Sequence, residues 1–277
     1  MQVSELVRKV SLRRGLSPRT IKTYQNCLNK FFRVVKKDPN YLKKSDIQDY
    51  LDGLLERKAP GNTINVYLNA LKFFYEQVLN KKLTLNLRFS KKRKTLPTFL
   101  TQEETSNFFK VIKNKKHKLM VTLMYSAGLR VSELVHLKVE DFNFENNYGW
   151  VREGKGKKDR LFIIAKKLKE EIIEHIDKNA LKHDSWLFPG FKNKHYSVSS
   201  IQNIVKKTAK KASINRNIHP HTLRHSFATH LIQNGYSVLE LQPLLGHRNI
   251  ETTLIYTHMA SPNLIKIKSP FDQLENR

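Results

Sequence analysis

Five short stretches of this 277-residue chain carry side chains whose type and spacing can do chemistry. Arg130 follows a glycine turn inside an apolar segment, 123–137, where a guanidinium needs a partner. Glu133, three residues on, can supply one as an ordinary helix pair. Lys155 stands between Gly154 and Gly156, and flanking glycines let a backbone turn tightly and approach a ligand. A lysine there can reach a phosphate or a leaving oxygen, or simply be a solvated hairpin residue. No Gly-x-x-x-x-Gly-Lys-Ser/Thr pattern is present, so this is not a nucleotide P-loop. His221 and Arg224 lie three apart at a helix start, so they share a face at the helix end that favours anions. One can move a proton while the other stabilises charge. His221, His225 and His230 lack a Cys or carboxylate at zinc-site spacing, so no metal is expected. His247 follows Leu245-Gly246 between two predicted helices, and Tyr256 comes nine residues later. A tyrosine near a chain end is ordinarily a core residue. It is also the nucleophile that cuts a phosphodiester without metal or water, storing the bond energy as phosphotyrosine.

These residues need elements to hold them. Ser17-Pro18 reads as a helix start, Ser as N-cap and Pro at the first helical position. Ile21, Tyr24, Leu28, Phe31, Phe32 and Val35 follow at helical spacing, with Arg19 and Lys22 off that face. Asp38-Pro39-Asn40 ends this helix. Ser45 is the expected cap of the next helix, and 59–62 the turn before a third that carries Ile64, Tyr67, Leu68, Leu71, Phe74 and Val78. With a weak helix at 2–13, this makes a bundle of about four helices. Cys27 sits beside the apolar stripe and reads as a small core residue. The basic run Lys91, Lys92, Arg93 and Lys94 in a linker can be solvated or can track a phosphate backbone.

Thr101 and Glu104 form a capping box, which predicts a helix from there. Further helices are expected at 116–126 and 130–137. Strand-like runs at 142–144, 150–152 and 160–164, with turn-like spacers at 146–149 and 154–158, predict a small antiparallel meander. Helices at 166–179, 198–212, 221–234, 237–245 and 250–258 complete the pattern. The expected class is mainly α with a small antiparallel β meander, in two domains: 1–86, a basic linker at 87–100, and 101–277 with a tail at 261–277.

Charge narrows the partner. The net charge is +27, from 51 Lys+Arg against 24 Asp+Glu. Residues 1–90 hold 18 basic and 7 acidic side chains, 91–118 hold 9 and 2, and 119–277 hold 24 and 15. An excess spread over both halves points to an anionic polymer touched by both. One cysteine excludes a disulfide framework or a Cys-rich zinc module. No apolar run approaches the ~18 residues of a membrane span, and residues 1–14 lack a signal-peptide core. A soluble, cytoplasmic, nucleic-acid-handling protein is expected.

Taken together, Arg130 in Ser-Ala-Gly-Leu-Arg-Val-Ser-Glu, Lys155 in Gly-Lys-Gly, His221-Thr222-Leu223-Arg224-His225, Leu245-Gly246-His247 and Tyr256-Thr257-His258 resemble the tyrosine recombinases in order and spacing. The resemblance is closest to the Xer branch, including archaeal members, and spans nearly the whole chain. It implies a C-shaped clamp on duplex DNA, with an N-terminal helical core-binding domain and a C-terminal catalytic domain. It implies Tyr256 as nucleophile, giving a 3′-phosphotyrosyl link and a 5′-hydroxyl. Arg130 and Arg224 would brace the phosphorus oxygens, Lys155 (or Lys157) would be the general acid, and His221 would move a proton. His247 would hydrogen-bond the phosphate and Glu133 would orient its neighbours. It implies no cofactor or metal, and four protomers on two duplexes at a short, partly palindromic site. A chain opening near its core-binding helices leans toward chromosome-dimer resolution. An integrase of a virus or plasmid, and a non-catalytic DNA-binding protein of the same fold, are the other readings.

Overall fold

The computed structural model describes residues 3–81, 97–152, 159–246 and 254. The chain divides into two units, Met1–Thr95 and Leu96–Arg277, each with its own apolar core.

Unit 1 is built from α1 (Val3–Arg13), α2 (Pro18–Val35), α3 (Lys44–Glu56) and α4 (Gly61–Phe73). The Ser17 hydroxyl accepts the Thr20 N–H at 3.1 Å, so α2 begins where the sequence says. The stripe predicted on α2 is inward: Ile21, Leu28 and Phe31 are buried, with Ile47, Leu51, Leu68 and Leu71 from α3 and α4. Phe31 meets Phe32 and Tyr50 edge-on, with ring centroids 5.1 and 5.0 Å apart. Cys27 is buried in this core, and burial pushes its thiol pKa up. Two boundaries differ from the sequence reading. α3 starts two residues early, with Lys43 rather than Ser45 at the cap position, where the Asp46 carboxylate accepts the Lys43 N–H at 2.9 Å. The expected third helix ends as α4 at Phe73 and continues as a wider π-helical turn, Phe74–Val78, which lets adjacent Phe74 and Tyr75 both face inward.

Unit 2 opens with α5 (Gln102–Lys110), whose capping box is present: Thr101 Oγ1 accepts the Glu104 N–H at 3.1 Å and Glu104 accepts the Thr101 N–H at 2.8 Å. α6 (Lys115–Ser126) follows and lies at the centre of the unit, with Met120, Val121, Leu123 and Met124 all buried. α7 (Val131–Val135) is shorter than the predicted 130–137 helix, and Arg130 stands before it at the N-cap position. The meander is β1 (Phe142–Asn143), β2 (Tyr148–Val151) and β3 (Arg160–Ile163), antiparallel in that order, with Phe142 opposite Gly149 and Val151 opposite Arg160. Tyr148 and Gly149, read as turn residues, belong to β2. Asn143 Oδ1 accepts the Asn146 N–H at 2.9 Å and Asn147 takes a positive φ of 55°, so the reversal closes sooner. α8 (Lys166–Lys178), α9 (Val198–Lys211), α10 (Pro220–Gln233) and α11 (Val238–Leu245) match the predicted spans to within a residue. The predicted helix at 250–258, apart from helical Leu254, the tail at 261–277 and most of the linker lie outside the described residues.

The expected class holds: a mainly helical chain with a small antiparallel sheet. Among the described residues, no helix is long and apolar enough to cross a membrane.

Candidate active site

The site begins at the turn between α6 and α7. Gly128 has φ +57°, and a Cβ there would lie 2.4 Å from the Phe227 ring of α10. Only glycine lets this turn press so closely on α10. The Gly128 carbonyl is thereby aimed at α10, where it accepts a hydrogen bond from the Arg224 guanidinium.

Arg130 comes next, in extended conformation. Its backbone N–H donates to Glu133 Oε2 at 2.8 Å, and its guanidinium donates to Glu133 Oε1 at 2.5 Å. The expected partnership with Glu133 is present, but it is not an ordinary surface helix pair. Glu133 is only 6% exposed. Its Oε2 also accepts from Arg160 at 2.6 Å and lies 3.8 Å from the nearer guanidinium nitrogen of Arg224. Burial by itself would raise the Glu133 carboxyl pKa. Arg160 and Arg130 outweigh it and hold the group at about 2.

The two other guanidiniums are also enclosed, Arg160 at 7% and Arg224 at 3% exposure. Both reach the C-terminal end of α11. Arg224 donates to the Leu245 carbonyl, which Arg130 also reaches at 3.3 Å, and Arg160 donates to the Leu244 carbonyl. The C-terminal carbonyls of a helix favour cations, so α11 helps to hold the three arginines together. Three guanidiniums face one carboxylate, which leaves this centre net positive and complementary to an anion.

α10 brings in the histidines. His219 caps the helix, its Nδ1 accepting the Thr222 N–H at 3.3 Å. His221 retains an exposed edge. Desolvation lowers its pKa first, then its neighbours His219, Arg224 and Arg130, while Glu133 opposes them. These effects favour the neutral imidazole, the form that can act as a proton acceptor. His225, with its ring centroid 6.5 Å from that of His221, is pushed down to about 4, chiefly by burial.

The structure thus brings Arg130, Glu133, His221 and Arg224 to one centre. Arg19 and Lys22 are exposed on α2 in unit 1. Lys155, Lys157, His247, Tyr256 and the run Lys91, Lys92, Arg93 and Lys94 lie outside the described residues. Among the described residues, no group of three or more His, Cys, Asp or Glu is placed to hold a metal. Sequence reasoning missed Arg160, treating it only as the first residue of a strand. The signal was its phase: in β3 Arg160 alternates with Phe162 on the buried side, while Leu161 and Ile163 face out.

Comparison with known proteins agrees. Residues 98–262 match the Phage integrase family, and residues 4–85 match the Phage integrase, N-terminal SAM-like domain. The chain is 36% identical to tyrosine recombinase XerA of Pyrococcus furiosus (strain ATCC 43587 / DSM 3638 / JCM 8422 / Vc1), over 95% of this chain and 91% of that one. It superposes on the crystal structure of XerA recombinase with a TM-score of 0.57 at 27% identity, covering 100% of both chains. It has the fold of XerH site-specific recombinase, solved bound to palindromic difH substrate, with a TM-score of 0.75 at 24% identity over 98% of this chain and 85% of that one. With an arginine centre in unit 2 and the match running through both units, the chain belongs to the phage integrase family as a tyrosine recombinase of the Xer type, an enzyme of site-specific DNA recombination.

Proposed function

We propose that this protein cleaves and rejoins duplex DNA through a 3′-phosphotyrosyl intermediate, with Tyr256 as nucleophile. The Tyr256 oxygen attacks the scissile phosphorus, a 3′-phosphotyrosine forms, and the bond to the 5′-oxygen breaks. Lys155 gives that oxygen its proton, leaving a 5′-hydroxyl. His221 takes up the tyrosine proton, and His247 hydrogen-bonds the phosphate. Arg130 and Arg224 brace the non-bridging oxygens, where planar forks fit better than ammonium groups. No metal or cofactor takes part in these steps. The observation that carries this reading is the buried Glu133 carboxylate holding guanidiniums from three elements around one anion-complementary centre.

The substrate is a short, partly palindromic duplex, a site like the difH bound by the XerH relative, and the role is resolution of chromosome dimers. Four protomers act on two duplexes in the cytoplasm, at the nucleoid. Residues 1–86 form the core-binding domain, 87–100 the basic linker and 101–277 the catalytic domain. Arg19, Lys22, Lys91, Lys92, Arg93 and Lys94 contact phosphates without reading sequence.

A nicked suicide duplex, cut from genomic DNA that the protein footprints, tests this reading. The wild type forms a covalent complex in the presence of EDTA. Tyr256→Phe binds the same DNA and forms none. Covalent attachment by Tyr256→Phe, or a strict Mg²⁺ requirement, overturns it.

A further inference from the structure

Between the buried Phe188 and the start of α9, unit 2 carries a tight loop, 189–195, with Phe191 at its tip. At 83%, Phe191 is the most exposed large apolar side chain among the described residues. A lone exposed apolar group is ordinary. This one is mounted on a braced support. Pro189 and His195 pair across an antiparallel bridge, and the Gly190 N–H donates to the Lys194 carbonyl at 2.7 Å. A Cβ on Gly190 would lie 2.8 Å from the His195 carbonyl oxygen, so only glycine lets the two arms close. Lys116 of α6 donates to the Pro189 carbonyl at 2.9 Å and sits 5.2 Å from the centroid of the Tyr196 ring. His195 packs on His136, with ring centroids 4.3 Å apart, and Trp186 lies 5.9 Å from both. At the tip Lys192 has φ 53° and ψ 45°, a left-handed conformation uncommon for lysine.

The charge around the loop points to its partner. Residues 185–239 hold eight Lys and Arg and no Asp or Glu, whereas the preceding stretch 166–184 holds five acids. Lys192 and Lys194 are exposed beside Phe191, and Lys192 Nζ lies 5.6 Å from the centroid of its ring. Lys206, Lys207 and Lys210 are exposed on α9, which follows the loop. Such a rim attracts a polyanion, and it repels a second copy of this +27 chain. The foot of the loop also lies near the arginine centre. His136, which His195 packs on, ends α7, and Arg130 stands at the other end. Six residues of helical rise separate them, about 9 Å, which is the rise of roughly three base pairs.

We propose that Phe191 is a wedge for duplex DNA: the loop enters the minor groove, Phe191 lodges against an unstacked base step, and Lys192 and Lys194 meet the flanking phosphates. The role rests on the duplex substrate proposed above. A minor groove is about 6 Å wide, so it admits one ring on a tight loop and excludes a helix. An apolar wedge there unstacks a step and bends the duplex. Unstacking costs least at pyrimidine–purine steps, so Phe191 confers a sequence preference without hydrogen-bonding a base. Bracing matters because a ring already held in place loses little freedom on binding.

The test uses the full chain and the footprinted genomic duplex, with 2-aminopurine replacing adenine at one position at a time. This base brightens when it is unstacked. The wild type should brighten it at one step, or two adjacent ones, within the footprint. Phe191→Ala should abolish that signal and weaken Kd by about 5- to 100-fold, the range for losing one aromatic–base contact. Its slope of log K against log salt should stay that of the wild type, because no phosphate contact is lost. Phe191→Tyr keeps a stacking ring and should restore both signal and affinity. Lys192→Ala should keep the signal and lower the slope by about 1. The side chains replaced are exposed, so the core of unit 2 is untouched. A signal that survives Phe191→Ala, or a Kd that this variant does not change, overturns the wedge. So does a Phe191→Ala variant that binds and unstacks DNA normally but loses self-association in light scattering, which would make the loop a protein contact. A wild type that binds and unstacks the duplex yet forms no covalent complex overturns the cleavage chemistry and supports the wedge. One that binds no duplex overturns both.

Discussion

Unit 1 fills its core with uncharged side chains, Phe31, Ile47, Leu51, Leu71 and Phe74 among them, and carries Arg19, Lys22 and Arg33 on its surface. Unit 2 has a similar aliphatic and aromatic core but also encloses Glu133, Asp141, Arg160 and Arg224. Both units are basic, yet their charges do different work. An exposed lysine attracts phosphate at a distance and is screened by salt. A buried arginine cannot act at a distance, and it stays buried only because a carboxylate and several carbonyls compensate it. The difference teaches that the surface charges of this molecule are individually replaceable, while the enclosed ones stand or fall together.

The largest expected effect follows from removing the compensating charge. Glu133→Gln leaves Arg160 and Arg224 enclosed without their carboxylate, at a cost of about 3–5 kcal/mol to unit 2, together with loss of covalent attachment to DNA. Denaturant unfolding of the full chain measures the first and the suicide duplex the second. A stability change of only about 0.5 kcal/mol, the size expected at a surface position, would erase the distinction between the units.

Acid should separate the units next. All 11 histidines lie in unit 2. His117, His175, His221, His225 and His230 have pKa values lowered first of all by burial, His225 to about 4. The unfolded chain takes up protons on these rings near their usual 6.5, and the folded chain does not until lower pH. Their contribution is therefore complete above about 6.5 and is lost as pH falls toward 4. Trp150 and Trp186 both belong to unit 2 and report its unfolding, while hydrogen exchange in α2 reports unit 1. Between pH 7.5 and 5, the unit 2 transition should drop by several degrees and α2 protection should hold. Equal loss in both would show that the histidines do not set this difference.

The smallest effect on folding belongs to the surface. Arg19→Ala and Lys22→Ala should each change stability by less than about 0.5 kcal/mol. Each should weaken duplex binding and lower the slope of log K against log salt by about 1. An unchanged slope would remove α2 from the DNA-binding surface.

Much of this was legible in the sequence, because local signals and tertiary demands agreed. Ser17-Pro18 and the Thr101 and Glu104 box mark helix starts by hydrogen bonds between near neighbours, so no distant contact is needed to read them. His221 and Arg224 share a helix face for the same reason. Arg160 was illegible because its partners come from two distant stretches of chain, Gly128 and Glu133 before it and Leu244 far beyond it. Only the two-residue alternation of β3 hinted that it points inward. The shortness of α7 was hidden likewise, since the turn before it is set by Gly128 against Phe227 in a distant helix.

The arginine centre also has a history in time. Arg224 bonds to Gly128 across 96 positions, and Arg130 bonds to Leu245 across 115. Contacts so distant along the chain form late, after the loop between them has been closed. During synthesis from the N-terminus, Glu133, Arg130 and Arg160 all emerge long before Arg224 and Leu245. A nascent chain halted between unit 1 and position 224 holds the basic helical bundle but none of the contacts that Arg224 makes at the arginine centre. The centre that encloses Glu133 is therefore completed only after position 245 has been made.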